Sequence, residues 1–205
     1  MFHYKSIAQV DKLFAMSSPN ITYIPNFYSQ EESIEMFTKL SKCPFKQLII
    51  KVWGKFYRPL RKSCSYGDMN LEYEYSGHCE LPLPWNRTML KIKSDVEKKT
   101  GFEYNFVLLN FYESGHAKIG AHKDDKPSLD QSVNIATLSF GACRDMIFSK
   151  TGCKSMRQAL EAGSLLLMHD QKRKDSCYPP STLCERTSLK SYLSPSLVFF
   201  AAKLG

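Results

Sequence analysis

The chain has 205 residues, 43% hydrophobic and 23% charged, with 28 Lys and Arg against 20 Asp and Glu and a formal net charge of +8. That length suits one domain with a real core, and the composition excludes a disordered polymer. No apolar run is long enough to span a bilayer, the N-terminal MFHYKSIAQVDKLFAM lacks a secretory apolar stretch, and the seven cysteines form no C-x-x-C pair, so reduced thiols in cytosol or nucleus are expected. The basic excess favours a polyanion partner, nucleic acid first, though many intracellular proteins are basic without binding one.

Ser29-Gln-Glu-Glu32 is a capping box, and Ile34, Phe37 and Leu40 follow at helical spacing, which predicts a helix from Gln30 to Ser41. QLIIKVWGKFY, residues 47–57, reads as strand, tight turn at Gly54 and strand, flanked by Lys51, Lys55, Arg58, Arg61 and Lys62. SYGDMNLEYEYSG gives a further strand with Tyr73 and Tyr75 on one face. NRTMLKIKSDVEKKTG is a second amphipathic helix that stops at Gly101. The short strands YNFVLLNFY, VNIATLSFG, RDMIFSK, GSLLLMHD and SLVFFAA come next. Helices followed by many strands predict a mainly β barrel or sandwich braced by two helices, an α+β arrangement. From Gln171 to Tyr192 the chain is rich in Ser, Lys, Pro and Cys without a period, and reads as a long loop.

GAHKDDKPSLD carries His122 and Asp124 one residue apart. On a strand both point the same way and can bind one ion; a distant His would complete the two-His-one-carboxylate set of non-haem iron(II) oxygenases. Taken alone, an H-x-D is more often a surface turn. Here NFVLLNFYESGHAKIGAHKDD, SFGACRD, VWGKFYRPLRKSCSYGD and GSLLLM stand around it. Together they resemble the AlkB family of iron- and 2-oxoglutarate-dependent dioxygenases, closest to the type 2 DNA repair homologues, from Asn20 to Met168.

The resemblance implies a double-stranded β-helix (jelly-roll) core, Fe(II) on His122 and Asp124, and 2-oxoglutarate on Asn110 and Tyr112 with O₂ as oxidant. It implies oxidative demethylation of 1-methyladenine and 3-methylcytosine in double-stranded DNA, by a monomer in the nucleus or cytoplasm. The target base must leave the duplex, and an apolar wedge fills the gap. Val52, Trp53, Gly54 and Lys55 match the wedge, which by itself is better read as an ordinary hairpin with a core aromatic. Tyr75 and His122 would sandwich the flipped base, and Tyr73 and Asp125 would read its edge. Lys126 stands where the family has an acid, which bears on base preference. Arg61, Lys62 and Arg144 are candidate phosphate contacts or parts of a solvated face. Within a single domain, 1–205, residues 20–86 would recognise the nucleotide and 87–205 would form the oxygenase core.

After Met168 the resemblance departs, which marks 169–205 as atypical. The place of the distal iron histidine falls on Tyr178, and His169 sits nine residues early. The family's terminal R-x-N-x-x-x-R becomes Ser196-Leu-Val-Phe-Phe-Ala-Ala202, with Lys203 one position out of register. A bidentate clamp on a carboxylate needs Arg. Impaired turnover is therefore expected. The alternatives are a non-catalytic nucleic-acid-binding module from the same family and an RNA demethylase; the duplex wedge speaks against the last.

Overall fold

The computed structural model describes residues 17–18, 21–52, 54–75, 78–122, 124, 128–130, 132–149, 154–169, 183–187 and 195–205. In chain order they form β1 (Ser17–Ser18), β2 (Ile21–Ile24), α1 (Gln30–Leu40), β3 (Ile50–Val52), β4 (Lys55–Tyr57), β5 (Lys62–Gly67), β6 (Tyr73–Tyr75), β7 (His78–Glu80) and β8 (Leu83–Pro84). Then come α2 (Arg87–Thr100), β9 (Phe106–Tyr112), β10 (Ile119–His122), β11 (Ile135–Gly141), β12 (Arg144–Phe148), β13 (Met156–Leu160), β14 (Leu165–Met168), β15 (Leu183–Thr187) and β16 (Ser196–Ala202). Among the described residues no helix is long and apolar enough to cross a membrane.

Both helices are set by their caps. Ser29 Oγ accepts the Glu32 N–H at 3.2 Å while the Ser29 N–H donates to Glu32 Oε2 at 2.9 Å, the expected capping box. Asn86 Oδ1 accepts the Met89 N–H at 3.0 Å, and Gly101 ends α2 in the left-handed conformation. One detail of α1 differs from the expectation. Its buried side chains are Ser33, Met36 and Leu40, and Ile34 is exposed. The chain enters the helix so that Ser33 lies beneath Gly163, which turns Ile34 outward.

Eight of the described strands form a mixed sheet in the order β1-β2-β14-β11-β16-β9-β5-β8, and four form a second in the order β10-β15-β12-β13. Met146, Phe148 and Leu160 of the small sheet pack on Ile21, Tyr23, Ile135, Leu166 and Met168 of the large one. The outer face of the large sheet is covered by Met36 and Leu40 of α1 and by Met89, Ile92 and Val96 of α2, which meet Leu109, Leu138 and Phe199. This is the expected jelly-roll of two facing sheets braced by two helices.

Among the strands that the sequence reading did not name, two are instructive. β15 lies inside the stretch read as a loop and pairs with both β10 and β12. LCERT has no strong strand signature, and the backbone groups of its two neighbours are what recruit it. β13, MRQAL, pairs with β12 along five residue pairs despite helix-forming residues.

Alternation on the central strands positions the interior. On β9, Val107 and Leu109 join the helix-side core, so Phe106, Leu108, Asn110 and Tyr112 face the small sheet. On β16, Leu197, Phe199 and Ala201 join that core, so Ser196, Val198, Phe200 and Ala202 face inward. The turn from β11 to β12 requires Gly141: its φ is +79°, and a Cβ there would lie 2.7 Å from the Pro195 carbonyl oxygen.

Candidate active site

His122 ends β10, and Asp124 follows it. Their side chains converge: His122 Nε2 lies 3.5 Å from Asp124 Oδ1. Metal–nitrogen and metal–oxygen distances of about 2.1 Å each sum to about 4.2 Å, so one ion can bridge this gap. The other ring nitrogen, Nδ1, is 2.9 Å from the Gly120 carbonyl oxygen. A carbonyl only accepts, so Nδ1 carries the proton and Nε2 keeps the lone pair that a metal uses.

Both residues line a cavity of about 50 Å³ with Asn110, Phe106, Leu108, Ile119, Leu129, Ile135, Phe200 and Ala202. Asn110 therefore joins His122 and Asp124 as expected. Tyr112 does not line that cavity. It lies two residues further along the same face, fully buried with Ala117 and Val198.

Two residues considered as phosphate contacts are interior instead. Arg61 is 5% exposed, and its Nη1 donates to Asn110 Oδ1 at 2.9 Å. Arg144 is 1% exposed and stacks on Tyr112, 3.9 Å from the ring centroid. Its Nη2 donates to the Ala117 carbonyl at 2.6 Å and its Nη1 to Ser196 Oγ at 3.3 Å. The sequence held the signal for Arg144, which shares strand parity with the inward Met146 and Phe148. Lys62 is at the surface, paired with Glu113 at 2.7 Å.

A second, open groove of about 590 Å³ meets the cavity at Ile119 and His122. It is lined by Lys55, Phe56 and Tyr57 of the β3–β4 hairpin together with Arg61 and Lys118. The hairpin pairs Val52 with Lys55 and turns through Gly54, whose φ is +80°. Trp53 and Asp125 lie outside the described residues, as do the side chains of Val52, Tyr73 and Tyr75.

The iron and co-substrate fit in part. Among the described residues no group of three His, Cys, Asp or Glu side chains can hold a metal. Tyr178 and Lys126 lie outside them. His169 is engaged at both ring nitrogens: Asn134 Nδ2 lies 2.9 Å from its Nδ1, and Thr22 Oγ1 lies 2.7 Å from its Nε2. The amide donates to Nδ1, so Nε2–H donates to the hydroxyl, and burial holds the imidazole below its ordinary pKa. On β16 the inward positions of the expected clamp are Ser196, Val198 and Ala202, none of which can grip a carboxylate as a guanidinium does.

Residues 20–178 match the family described as 2OG-Fe(II) oxygenase superfamily. The DNA oxidative demethylase ALKBH2 of Mus musculus is 37% identical over 153 residues, 70% of this chain and 61% of that protein. Its Homo sapiens counterpart is 36% identical, over 70% of this chain and 56% of that protein. Alpha-ketoglutarate-dependent dioxygenase alkB homolog 3 of Bos taurus is 31% identical, over 74% and 56%. The chain thus aligns with little more than half the length of these relatives. In fold it is similar to the solved structure of OsALKBH1, with a TM-score of 0.64 at 14% identity, covering 90% of this chain and 99% of that one. The jelly-roll with an H-x-D pair at its mouth defines an oxygenase of the iron and 2-oxoglutarate type. Within that superfamily, the chain belongs to the AlkB family.

Proposed function

We propose that this chain recognises alkylated bases in double-stranded DNA by drawing them out of the duplex towards His122 and Asp124, and that its own oxidative demethylation is impaired. The carrying observation is the 3.5 Å approach of His122 Nε2 to Asp124 Oδ1 at the junction of a buried cavity and an open basic, aromatic groove. The relatives' names supply the reaction, oxidative demethylation of DNA, and the sequence resemblance suggests 1-methyladenine and 3-methylcytosine as the bases. With iron(II), 2-oxoglutarate and O₂ bound, such a site oxidises a methyl group, which is lost as formaldehyde.

The chain's own residues do the preparation. Gly120 holds the His122 tautomer. Arg61 fixes the Asn110 amide by engaging its oxygen, which aims Nδ2 elsewhere in the interior. Lys55 and Lys118 make the groove attractive to a phosphate backbone. Phe56 and Tyr57 offer ring faces to a base. Val52 and Trp53 would occupy the gap that the base leaves. A DNA substrate assigns the protein to the nucleus, where it acts as a monomer.

The impairment is our inference from Tyr178 at the place where the resemblance puts the distal histidine, with Ser196 and Ala202 at the clamp positions. The same observations favour a second reading, a non-catalytic module that retains only the nucleic-acid surface. Anaerobic Fe(II) titration separates the two: measurable iron binding that Asp124→Ala removes supports the impaired enzyme, and none supports the module. Both readings require preferential binding to duplex DNA carrying 1-methyladenine over the unmodified duplex. Equal affinities for the two duplexes would reject the proposal.

A further inference from the structure

The chain between α1 and β5 folds back on itself. Lys46 and Ser63 close it as an isolated bridge, each backbone N–H donating to the other's carbonyl at 2.9 Å. Further out, Gln47 Nε2 donates to the Pro59 carbonyl at 2.8 Å. β3 and β4 lie within the segment so closed. Just behind the bridge, one on each limb, stand two cysteines, Cys43 and Cys64.

Both belong to the helix-side core. Cys64, on β5, is 6% exposed within it, and the half-buried Cys43 packs against it. The Cys43 N–H donates to the Leu40 carbonyl at 3.0 Å, which fixes its backbone at the end of α1. There its thiol hydrogen-bonds with Cys64 and with the Tyr66 hydroxyl, and the Asn86 side chain at the cap of α2 holds Tyr66 in turn. The Cys64 contact, helped by Tyr66, holds the Cys43 thiol below its ordinary pKa against the opposing effect of burial. Burial and the Cys43 contact push the Tyr66 hydroxyl up, so it remains a proton donor. Cys143, also half-buried, is the opposite case: burial and the carboxylates of Asp145 and Glu161 push its thiol up. The thiolate is the reacting form, so the two thiols should differ in reactivity.

We propose that Cys43 and Cys64 are a peroxide-reactive pair, a modification site in which Cys43 is the attacking thiol and Cys64 converts it to a disulfide. The Cys43 thiolate attacks one oxygen of hydrogen peroxide and the O–O bond breaks, leaving a sulfenic acid and, after protonation, water. The Cys64 sulfur then attacks the sulfenic sulfur, the S–O bond breaks, and a second water departs with the Cys64 proton. Both thiols are oxidised, and the peroxide is reduced to water. Exposure sets the order, since solvent reaches Cys43 and Cys64 is buried behind it. The new bond closes residues 43–64 into a covalent loop that carries β3 and β4. That this loop touches DNA rests on the function proposed above; the thiol chemistry does not.

The full chain, reduced and in EDTA, is exposed to hydrogen peroxide, quenched by alkylation and mapped as peptides without reduction. A peptide joining Cys43 to Cys64 is expected, with Cys43 consumed at least tenfold faster than Cys143, and dithiothreitol should restore both thiols. Cys64→Ala should leave Cys43 as a sulfenic acid that dimedone traps. Tyr66→Phe should slow the consumption of Cys43 several-fold and still yield the cross-link. In the unaltered chain, a Cys43 that reacts no faster than Cys143 overturns the proposal. So does a Cys43 that cross-links elsewhere or not at all. No step uses iron, 2-oxoglutarate or DNA, so failure here is distinct from failure to recognise an alkylated base.

Discussion

β9 and β16 lie side by side in the large sheet, joined by seven consecutive residue pairs from Tyr112–Ser196 to Phe106–Ala202. On the helix side they are alike: Val107 and Leu109 from one, Leu197, Phe199 and Ala201 from the other. On the inner side they differ. β9 presents Asn110 and Tyr112, while β16 presents Ser196, Val198, Phe200 and Ala202. A strand's place in a sheet is held by backbone pairing and by one face of side chains; the other face is then free to change its chemistry without expelling the strand. Fold and reaction are written on opposite faces of the same seven residues.

The largest effect expected from this contrast is a gain. Tyr178→His, Ser196→Arg and Ala202→Arg together should raise formaldehyde release from 1-methyladenine duplex DNA roughly a thousandfold over the unaltered chain, about 4 kcal/mol of transition-state stabilisation. Asp124→Ala in the same background should return it to the blank. An unaltered chain already well above that blank would show that β16's inner face has lost nothing essential.

The outer face should instead govern stability. Phe199 is 1% exposed in the helix-side core, and Phe199→Ala should cost about 3 kcal/mol or more in urea unfolding. Phe200 lines the cavity and is only partly buried, so Phe200→Ala should cost clearly less. Equal losses would break the division between faces.

A smaller effect is expected at the hairpin. Trp53→Ala with Val52→Ala should weaken binding to methylated duplex about tenfold or more, and to the same lesion in a single strand far less. Only the duplex must be unstacked, so equal losses would reject the wedge.

The smallest concerns His169. Its imidazole is held below the ordinary value by burial, so the unfolded chain binds more protons just below about pH 6.5. The stabilising contribution is full above that pH and is lost as pH falls through the folded value. His169→Asn should flatten that slope in urea titrations between pH 7 and 5.

Much of this was legible in the sequence. The capping box at Ser29, the Gly101 stop and the Gly54 turn are local, and each appeared where expected. The N-x-Y and H-x-D motifs pointed to Asn110, His122 and Asp124, which meet at one cavity, but not to the place of Tyr112 beside Ala117 and Val198. β15 was hidden because its strand state comes from β10 and β12, far away in sequence. The interior role of Arg61 was hidden for a related reason: a charged residue just before a strand reads as surface until its neighbours in the fold are known, whereas Arg144 shared strand parity with Met146 and Phe148. Ile34 shares the helical spacing of Phe37 and Leu40 yet is exposed, because spacing alone does not say which of two adjacent helical faces turns inward.

β16 is the last strand in the chain yet stands between β11 and β9, in the middle of the large sheet. During synthesis, β9 and β11 must therefore emerge as two unfinished edges with the centre of their sheet still to come. Their exposed rows of amide and carbonyl groups invite pairing with another chain in that interval. Closure depends on contacts between residues about sixty to ninety positions apart, which makes it slow relative to local hairpin formation. A ribosome that stalls shortly before Ser196 would hold out a sheet split down its middle, a natural client for a chaperone.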